Sequence, residues 1–364
     1  MPRINAFLQI GREQNCSDIH FAVGAPPLVR QLGDLTPIKY RDLSAAEVQD
    51  LLFEIMPAEL KTECDEGKDL DFSYQDPELG RFRVNVFHKV GGLGATFRVI
   101  APKIPTLDDL GLPKIVEQLI QTNNGLVLVT GATGTGKSTT LAAMIGHLNN
   151  NRRLNIITLE DPVEFIYESN LSLVVQREVG KHVDSFANGL RAALREDPDV
   201  ILVGELRDPE TIMLAMTAAE TGHLVLGTLH TSSAVKSLDR IVDAMPTEQK
   251  AQTATFLAQN LRGVISQKLV RTANGRSRKA ILEIMVNVPA ISSLLLGGKI
   301  HQIPSVLQTG SEKGMKLMDQ ALMEAIDNKE IDPDDAYQHA NDKKLFQQFV
   351  SSSEILPPID LSVP

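Results

Sequence analysis

The sequence predicts an α/β protein in two parts: a small α/β domain, then a larger domain built on a mostly parallel sheet with a helical C-terminal extension. Three observations carry this. Short apolar runs (GLVLVT, NIITL, DVILVG and HLVLGTL) alternate with helical stretches, the pattern of a parallel sheet covered on both faces. Two earlier segments instead alternate apolar and polar residues, as half-buried strands do. The length of 364 residues suits two domains.

Taken in order, residues 1–100 read as the small domain. Ser17-Asp18-Ile19-His20-Phe21-Ala22-Val23 alternates like a strand and stops at Gly24-Ala25-Pro26-Pro27. Ser44 with Glu47 forms a capping-box signature opening a helix AAEVQDLLFEIM. Arg81–Phe87 alternates again, and Gly91-Gly92 supplies a turn into Leu93–Ile100, which predicts a hairpin. Residues 101–113 carry three prolines and read as a linker. Residues 114–350 form the larger domain, in which a helix is expected from Lys137 and the pattern turns helical and polar from about residue 285. The last residues, 351–364, are expected to be a disordered tail.

Composition narrows the function classes. Two cysteines, Cys16 and Cys64, cannot build a disulfide framework or a four-thiolate zinc site, and free thiols fit a reducing compartment. The N-terminus lacks a secretory signal's apolar run, and no stretch reaches the length of a membrane span, so any membrane role must go through partners. Net charge is −10, and residues 311–364 hold 11 acidic against 5 basic residues. With no Trp and four Tyr besides, the chain is poorly suited to a nucleic-acid groove, which needs concentrated Lys and Arg.

Gly131-Ala132-Thr133-Gly134-Thr135-Gly136-Lys137-Ser138 matches the phosphate-loop pattern, with a strand before it and a helix after it. Glycines let backbone N–H groups turn inward around phosphate oxygens, and the helix that follows aims its positive end at the same place. Lys137 would reach the β- and γ-phosphates as a point charge, Ser138 would offer its hydroxyl to Mg²⁺, and Thr139 continues the site.

Acidic residues mark two strand ends. Val200–Val203 ends at Gly204-Glu205, where a carboxylate can orient the attacking water; Glu205 is assigned that general-base or water-positioning role. The strand Ile156–Leu159 ends in Glu160-Asp161-Pro162-Val163-Glu164, at the carboxyl edge where open α/β sheets bind ligands. Glu160 is the candidate for the Mg²⁺ shell and Glu164 a second acid. His223 and His230 bracket the next strand; seven apart, they face opposite sides and cannot share one metal from that strand. His230, at the carboxyl end, is placed to sense the γ-phosphate. Phosphoryl transfer also needs added positive charge. Arg81, Arg83 and Arg98 of the predicted hairpin are candidates, as are Arg191, Arg195 and Arg207, with Arg191 and Arg195 read as one helix face.

GATGTGKSTTLAAMIGHLN, ITLEDPVEF, LRAALREDPDVILVGELRDPETI and TAAETGHLVLGTLHTSSA together resemble the Walker A, Asp box, Walker B and His box of the secretion ATPase superfamily, in that order. Over roughly residues 15–345 the chain resembles its pilus-retraction branch, the PilT/PilU motors. The resemblance implies a PAS-like N-terminal domain and a RecA-like P-loop ATPase domain with C-terminal helices. It also implies a homohexameric ring that binds ATP and Mg²⁺ and works at the cytoplasmic face of the inner membrane through a pilus platform protein, driving retraction and twitching motility. It makes Glu205 the catalytic acid, Glu160, Asp161 and Glu164 the Asp box, His223 and His230 the His box, and Arg83 and Arg98 the arginine fingers, with Arg81 open as a further one.

Two absences favour that branch: a tetracysteine metal module and a longer N-terminal region, both usual in extension and type II secretion motors. One departure opens an alternative. The Ala-Ile-Arg motif of retraction motors is matched by Ala290-Ile291-Ser292-Ser293, with Ser292 in place of Arg. An accessory PilU-like paralogue, or a nonhydrolysing regulatory partner of the main motor, is the alternative reading. A base-reading GTPase motif is absent, since Asp327-Asn328-Lys329-Glu330 falls in a polar helical stretch.

Overall fold

The computed structural model describes residues 2–31, 33–100, 103–352 and 355–356. The chain divides into two units, Met1–Ile104 with Pro162–Ile166, and Pro105–Asp161 with Tyr167–Pro364.

The first unit contains α1 (Asn5–Glu13), β1 (Asp18–Ala22), β2 (Leu28–Gln31), β3 (Asp34–Pro37), α2 (Ala45–Phe53), α3 (Ala58–Asp65), β4 (Leu70–Asp76), β5 (Gly80–Lys89) and β6 (Gly92–Val99). The strands form one antiparallel sheet in the order β3-β2-β1-β6-β5-β4. The expected hairpin is present, its register running from Phe82↔Val99 to Lys89↔Gly92 around the Gly91-Gly92 turn. Ile19, Phe21, Phe82, Val84 and Phe97 alternate inward and pack with Leu8, Val48 and Leu52 of the helices. The Ser44–Glu47 capping box is formed: Ser44 Oγ accepts from Glu47 N, and the Glu47 side chain accepts from Ser44 N. The helix it opens ends at Phe53, earlier than the sequence pattern implied. Pro57 forces the chain extended and restarts it as α3.

The second unit contains α4 (Lys114–Ile120), β7 (Gly125–Thr130), α5 (Lys137–Asn151), β8 (Asn155–Glu160), β9 (Leu173–Glu178), α6 (Phe186–Ala193), β10 (Val200–Val203), α7 (Pro209–Glu220), β11 (Leu224–Leu229), α8 (Ala234–Ala244), α9 (Lys250–Asn260), β12 (Leu261–Arg271), β13 (Arg278–Val286), α10 (Pro289–Leu296), α11 (Ile303–Thr309), α12 (Met318–Asp327), α13 (Pro333–His339) and α14 (Lys343–Phe346). Its sheet has the order β13-β12-β7-β11-β10-β8-β9 and is parallel except for β13, which pairs antiparallel with β12 at one edge. β7, β10 and β11 are buried along their whole length, which is why they read as unbroken apolar runs. Two apolar clusters, one including Leu126, Ile157, Leu190 and Leu238 and the other Val127, Met144, Ile145 and Leu148, cover the two faces.

The expected linker is partly structural: Leu107 and Leu112 are buried in the core of this unit, while Ala101 and Pro102 lie outside the described residues. Before the C-terminal helices come β12 and β13, and β13 runs to Val286. Met318, Leu322, Ala325, Tyr337 and Phe346 build a separate small core over these strands, and Ile355 and Leu356 pack against it. The rest of the expected tail, Ser353, Glu354 and 357–364, lies outside the described residues.

Candidate active site

Because β7, β11, β10 and β8 run parallel, their carboxyl ends deliver four loops to one edge of the sheet. The loop after β7 turns into α5 through glycines whose backbone excludes other residues. Gly131 has φ +149°, and a Cβ there would stand 2.5 Å from the Gln267 carbonyl oxygen; Gly136 has φ +87°, and its Cβ would meet the Gln267 side chain at 2.9 Å. Lys137 begins α5, is 9% exposed, and donates from Nζ to the carbonyls of Gly131 (2.8 Å) and Ala132 (3.0 Å). Thr135 Oγ1 donates to Ala132 O at 2.9 Å, closing the loop. Ser138 lies exposed on the first turn of α5, with Thr139 beside it.

Glu205 follows β10. Its Oε2 lies 2.7 Å from Arg207 Nη2 and its Oε1 lies 3.4 Å from His230 Nε2. Burial pushes this carboxyl up, but the Arg207 hydrogen bond and the charges of His230, Arg207 and Lys137 outweigh it and hold it below the ordinary carboxylate range. Arg207 is correspondingly raised, by its bond to Glu205 first. His230, after β11, has Nδ1 3.4 Å from Thr133 Oγ1. One imidazole thus spans the phosphate loop and the strand-end acid. Glu160 ends β8; its Oε1 accepts from Thr158 Oγ1 (2.7 Å) and Gln176 Nε2 (3.2 Å). Asp161 is exposed and contributes to the field on Arg207.

The other sequence candidates have partners of their own. His223 precedes β11, at the strand end opposite His230 and about 20 Å from it by strand rise. There Nδ1 sits 2.9 Å from Ala218 O and the ring closes the end of α7. Arg191 bonds Asn188 Oδ1 (3.0 Å) and pairs with Glu210. Arg195 does not share its helix face, because α6 ends at Ala193 and Arg195 N already turns back to Ala192 O. Arg81, Arg83, Arg98 and Glu164 belong to the first unit. There Arg81 Nη2 donates to Ser73 Oγ (3.0 Å), Arg98 Nε to Asp18 Oδ1 (3.0 Å), and Arg83 Nη2 to Asp71 Oδ2 (2.8 Å), with Glu164 3.9 Å from Arg83 Nη1.

Sequence reasoning missed the residues that hold the loop from behind. Gln267 on β12, 3% exposed, accepts from Thr140 Oγ1 (2.8 Å) and donates from Nε2 to the Thr135 carbonyl (2.6 Å). Thr130, at the root of the loop, bonds Ser266 Oγ at 2.8 Å, and Ser237 Oγ reaches Thr130 at 3.4 Å and Thr231 at 2.6 Å. Only a strand placed beside β7 can supply Ser266 and Gln267, and the β12–β7 pairing lies 136 residues apart in sequence. The one available signal was three polar residues inside an apolar run, GVISQKLV.

A glycine-shaped phosphate loop opening a helix, with a strand-end glutamate and a histidine facing it, defines a P-loop nucleotide-binding protein. The chain belongs to the family described as Type II/IV secretion system protein, whose model matches residues 76–344. It is 47% identical over 319 residues to the Type IV pilus retractation ATPase PilT of Pseudomonas aeruginosa, covering 88% of this chain and 92% of that protein. It is 38% identical over 350 residues to the Type IV pilus ATPase PilU of the same organism, covering 95% and 92%. A crystal structure of the pilus retraction motor PilT with bound ADP superposes with a TM-score of 0.84 at 41% identity, covering 94% of this chain and 98% of that one. The expected α/β fold and family are therefore borne out, and the family is one of nucleotide-binding ATPases. Among the described residues no helix is long and apolar enough to cross a membrane.

Proposed function

We propose that this chain hydrolyses ATP as the homohexameric motor of a type IV pilus machine and powers pilus retraction, and with it twitching motility. The observation that carries the reading is the Thr133–His230–Glu205 line across the mouth of the phosphate loop. Backbone N–H groups of residues 131–138 and Lys137 would bind the β- and γ-phosphates. Glu205, its carboxyl held low by Arg207 against the effect of burial, would orient the attacking water, and His230, touching both loop and acid, would register the γ-phosphate. A hydroxyl together with carboxylate oxygens is a donor set that suits a hard cation. Ser138 would hold Mg²⁺, with Glu160 acting on its shell indirectly, and the ion would neutralise phosphate charge.

Arg83 and Arg98, each bonded to a carboxylate, are proposed as the arginine fingers, and His223 and Glu164 as the remaining family-box residues. Work would pass to an inner-membrane platform protein at its cytoplasmic face, without membrane insertion and without nucleic acid. Deletion in the host, scored for surface pili and twitching, tests the reading. Excess pili without twitching is expected; loss of pili would mean an extension motor instead.

A second reading, an accessory PilU-like paralogue or a regulatory partner of the main motor, is favoured by Ser292. Its hydroxyl turns inward, donating to Ala258 O (2.7 Å) and Asn287 Oδ1 (3.1 Å), and presents no cation at that position. A host that still retracts pili after the deletion, with reduced force, would support it.

A further inference from the structure

We propose that Glu283 is a positioning residue that couples the segment after His230 to the C-terminal helical module, so that the nucleotide state sensed at His230 moves α12. This rests on the motor reading above.

Glu283 lies on β13, is 4% exposed and takes no part in the site already described. Its two oxygens hold the first residues of two different helices. Oε1 accepts from Ala234 N at 2.7 Å, the start of α8; Oε2 accepts from Met318 N at 3.3 Å, the start of α12. The first N–H groups of a helix have no intrahelical acceptor and carry its positive end, so one carboxylate answers both at once. Ser233 caps α8 at Lys236 N, which leaves the Ala234 N–H to Glu283.

Each helix leads somewhere different. α8 begins four residues after His230, and Ser237 on its first turn ties Thr231 and Ser233 to Thr130 at the root of the phosphate loop. α12 opens the module whose core is Met318, Leu322, Ala325, Ile331, Tyr337 and Phe346. Lys268 supports the same junction. It lies two residues on from Ser266, the register partner of Glu283, and so on the same face of the sheet; its Nζ donates to His339 O, at the end of α13, at 2.6 Å.

A staple meant only to hold the fold would be served by apolar packing, because burying a carboxylate is costly. Two acceptor oxygens on one rigid group do something packing does not. A displacement of Ala234 and a displacement of Met318 cannot be independent while both bonds persist.

Hydrogen exchange on the full-length protein, with Mg·ADP against Mg·ATPγS, tests this. In the wild type, amides of residues 318–327 are expected to differ between the two nucleotides by about fivefold, a usual size for allosteric coupling. Glu283→Gln offers one acceptor oxygen and turns an N–H₂ toward the other helix. It should abolish the difference at 318–327 while residues 131–138 keep their nucleotide protection, and lower kcat with KM for ATP within about twofold. Should that variant fail to fold, Glu283→Asp keeps the charge but shortens the side chain by one methylene, so that it cannot reach both amides at once, and should give the same result. Identical exchange in both nucleotides in an active wild type, or a difference that survives both substitutions, overturns the inference and leaves the motor reading standing. A wild type without turnover overturns both.

Discussion

Replacing Gln267 by Leu should weaken nucleotide binding without touching any group that meets the nucleotide. The substitution keeps most of the buried volume but leaves Thr140 Oγ1 and the Thr135 carbonyl without their partner. A buried polar group left unsatisfied costs about 1–3 kcal/mol. Thr140 is 1% exposed and cannot recover its bond from water, which places it near about 2 kcal/mol; Thr135 is half-buried, which places it near about 1 kcal/mol. Stability should fall by about 3 kcal/mol, a melting shift of about 6–12 °C for a unit of this size. Of the two lost bonds, the one to Thr135 is the one that holds the phosphate loop. Its loss lowers the population of the binding-competent loop, and about 1 kcal/mol there is about a fivefold loss of affinity. Titration with a fluorescent ADP analogue, alongside thermal melts, reads both effects. Thr140→Val should reproduce part of the melting loss and keep the affinity. An affinity within about twofold of wild type in Gln267→Leu, with the melt lowered as expected, would refute the claim that this side chain shapes the phosphate loop.

Arg207→Ala removes the strongest contribution that lowers the Glu205 carboxyl and leaves burial to raise it, so the acidic limb of the kcat/KM profile should move to higher pH. The base acts in its ionised form, so a carboxyl raised by the loss of Arg207 stays protonated, and inactive, to a higher pH. An unmoved limb would contradict the assignment. Gly131→Ala would set a Cβ 2.5 Å from the Gln267 carbonyl at φ +149°, and should abolish nucleotide binding in the same titration while the first unit stays folded by circular dichroism. Phe97→Ala empties the centre of the first unit, where the ring meets Phe21 and Phe82, and should cost about 3–5 kcal/mol in a denaturant melt.

What the sequence made legible was what local pattern controls. The strand before the phosphate loop and the start of α5 at Lys137 were readable because an apolar run and a glycine loop with a fixed spacing leave few alternatives. The Ser44–Glu47 box and the Gly91-Gly92 hairpin were readable for the same reason. The strands β12 and β13 were not, because LRGVISQKLVR interrupts its apolar residues with Gln267 and Lys268, each of which has a partner far along the chain. Glu283 looked like one acid in an apolar strand, and only the folded backbone brings Ala234 and Met318 to it. The histidines split on the same ground: seven residues apart is one strand length, which put His230 at the phosphate loop and His223 at the far end of α7.

Turnover by the purified protein and by Glu205→Gln, measured as phosphate release from Mg·ATP with nucleotide binding followed in parallel, bears most directly on the central claim. The account requires steady release by the wild type and its loss in the variant, with the analogue bound equally well by both. Equal rates in the two proteins, or binding lost together with turnover, would contradict it.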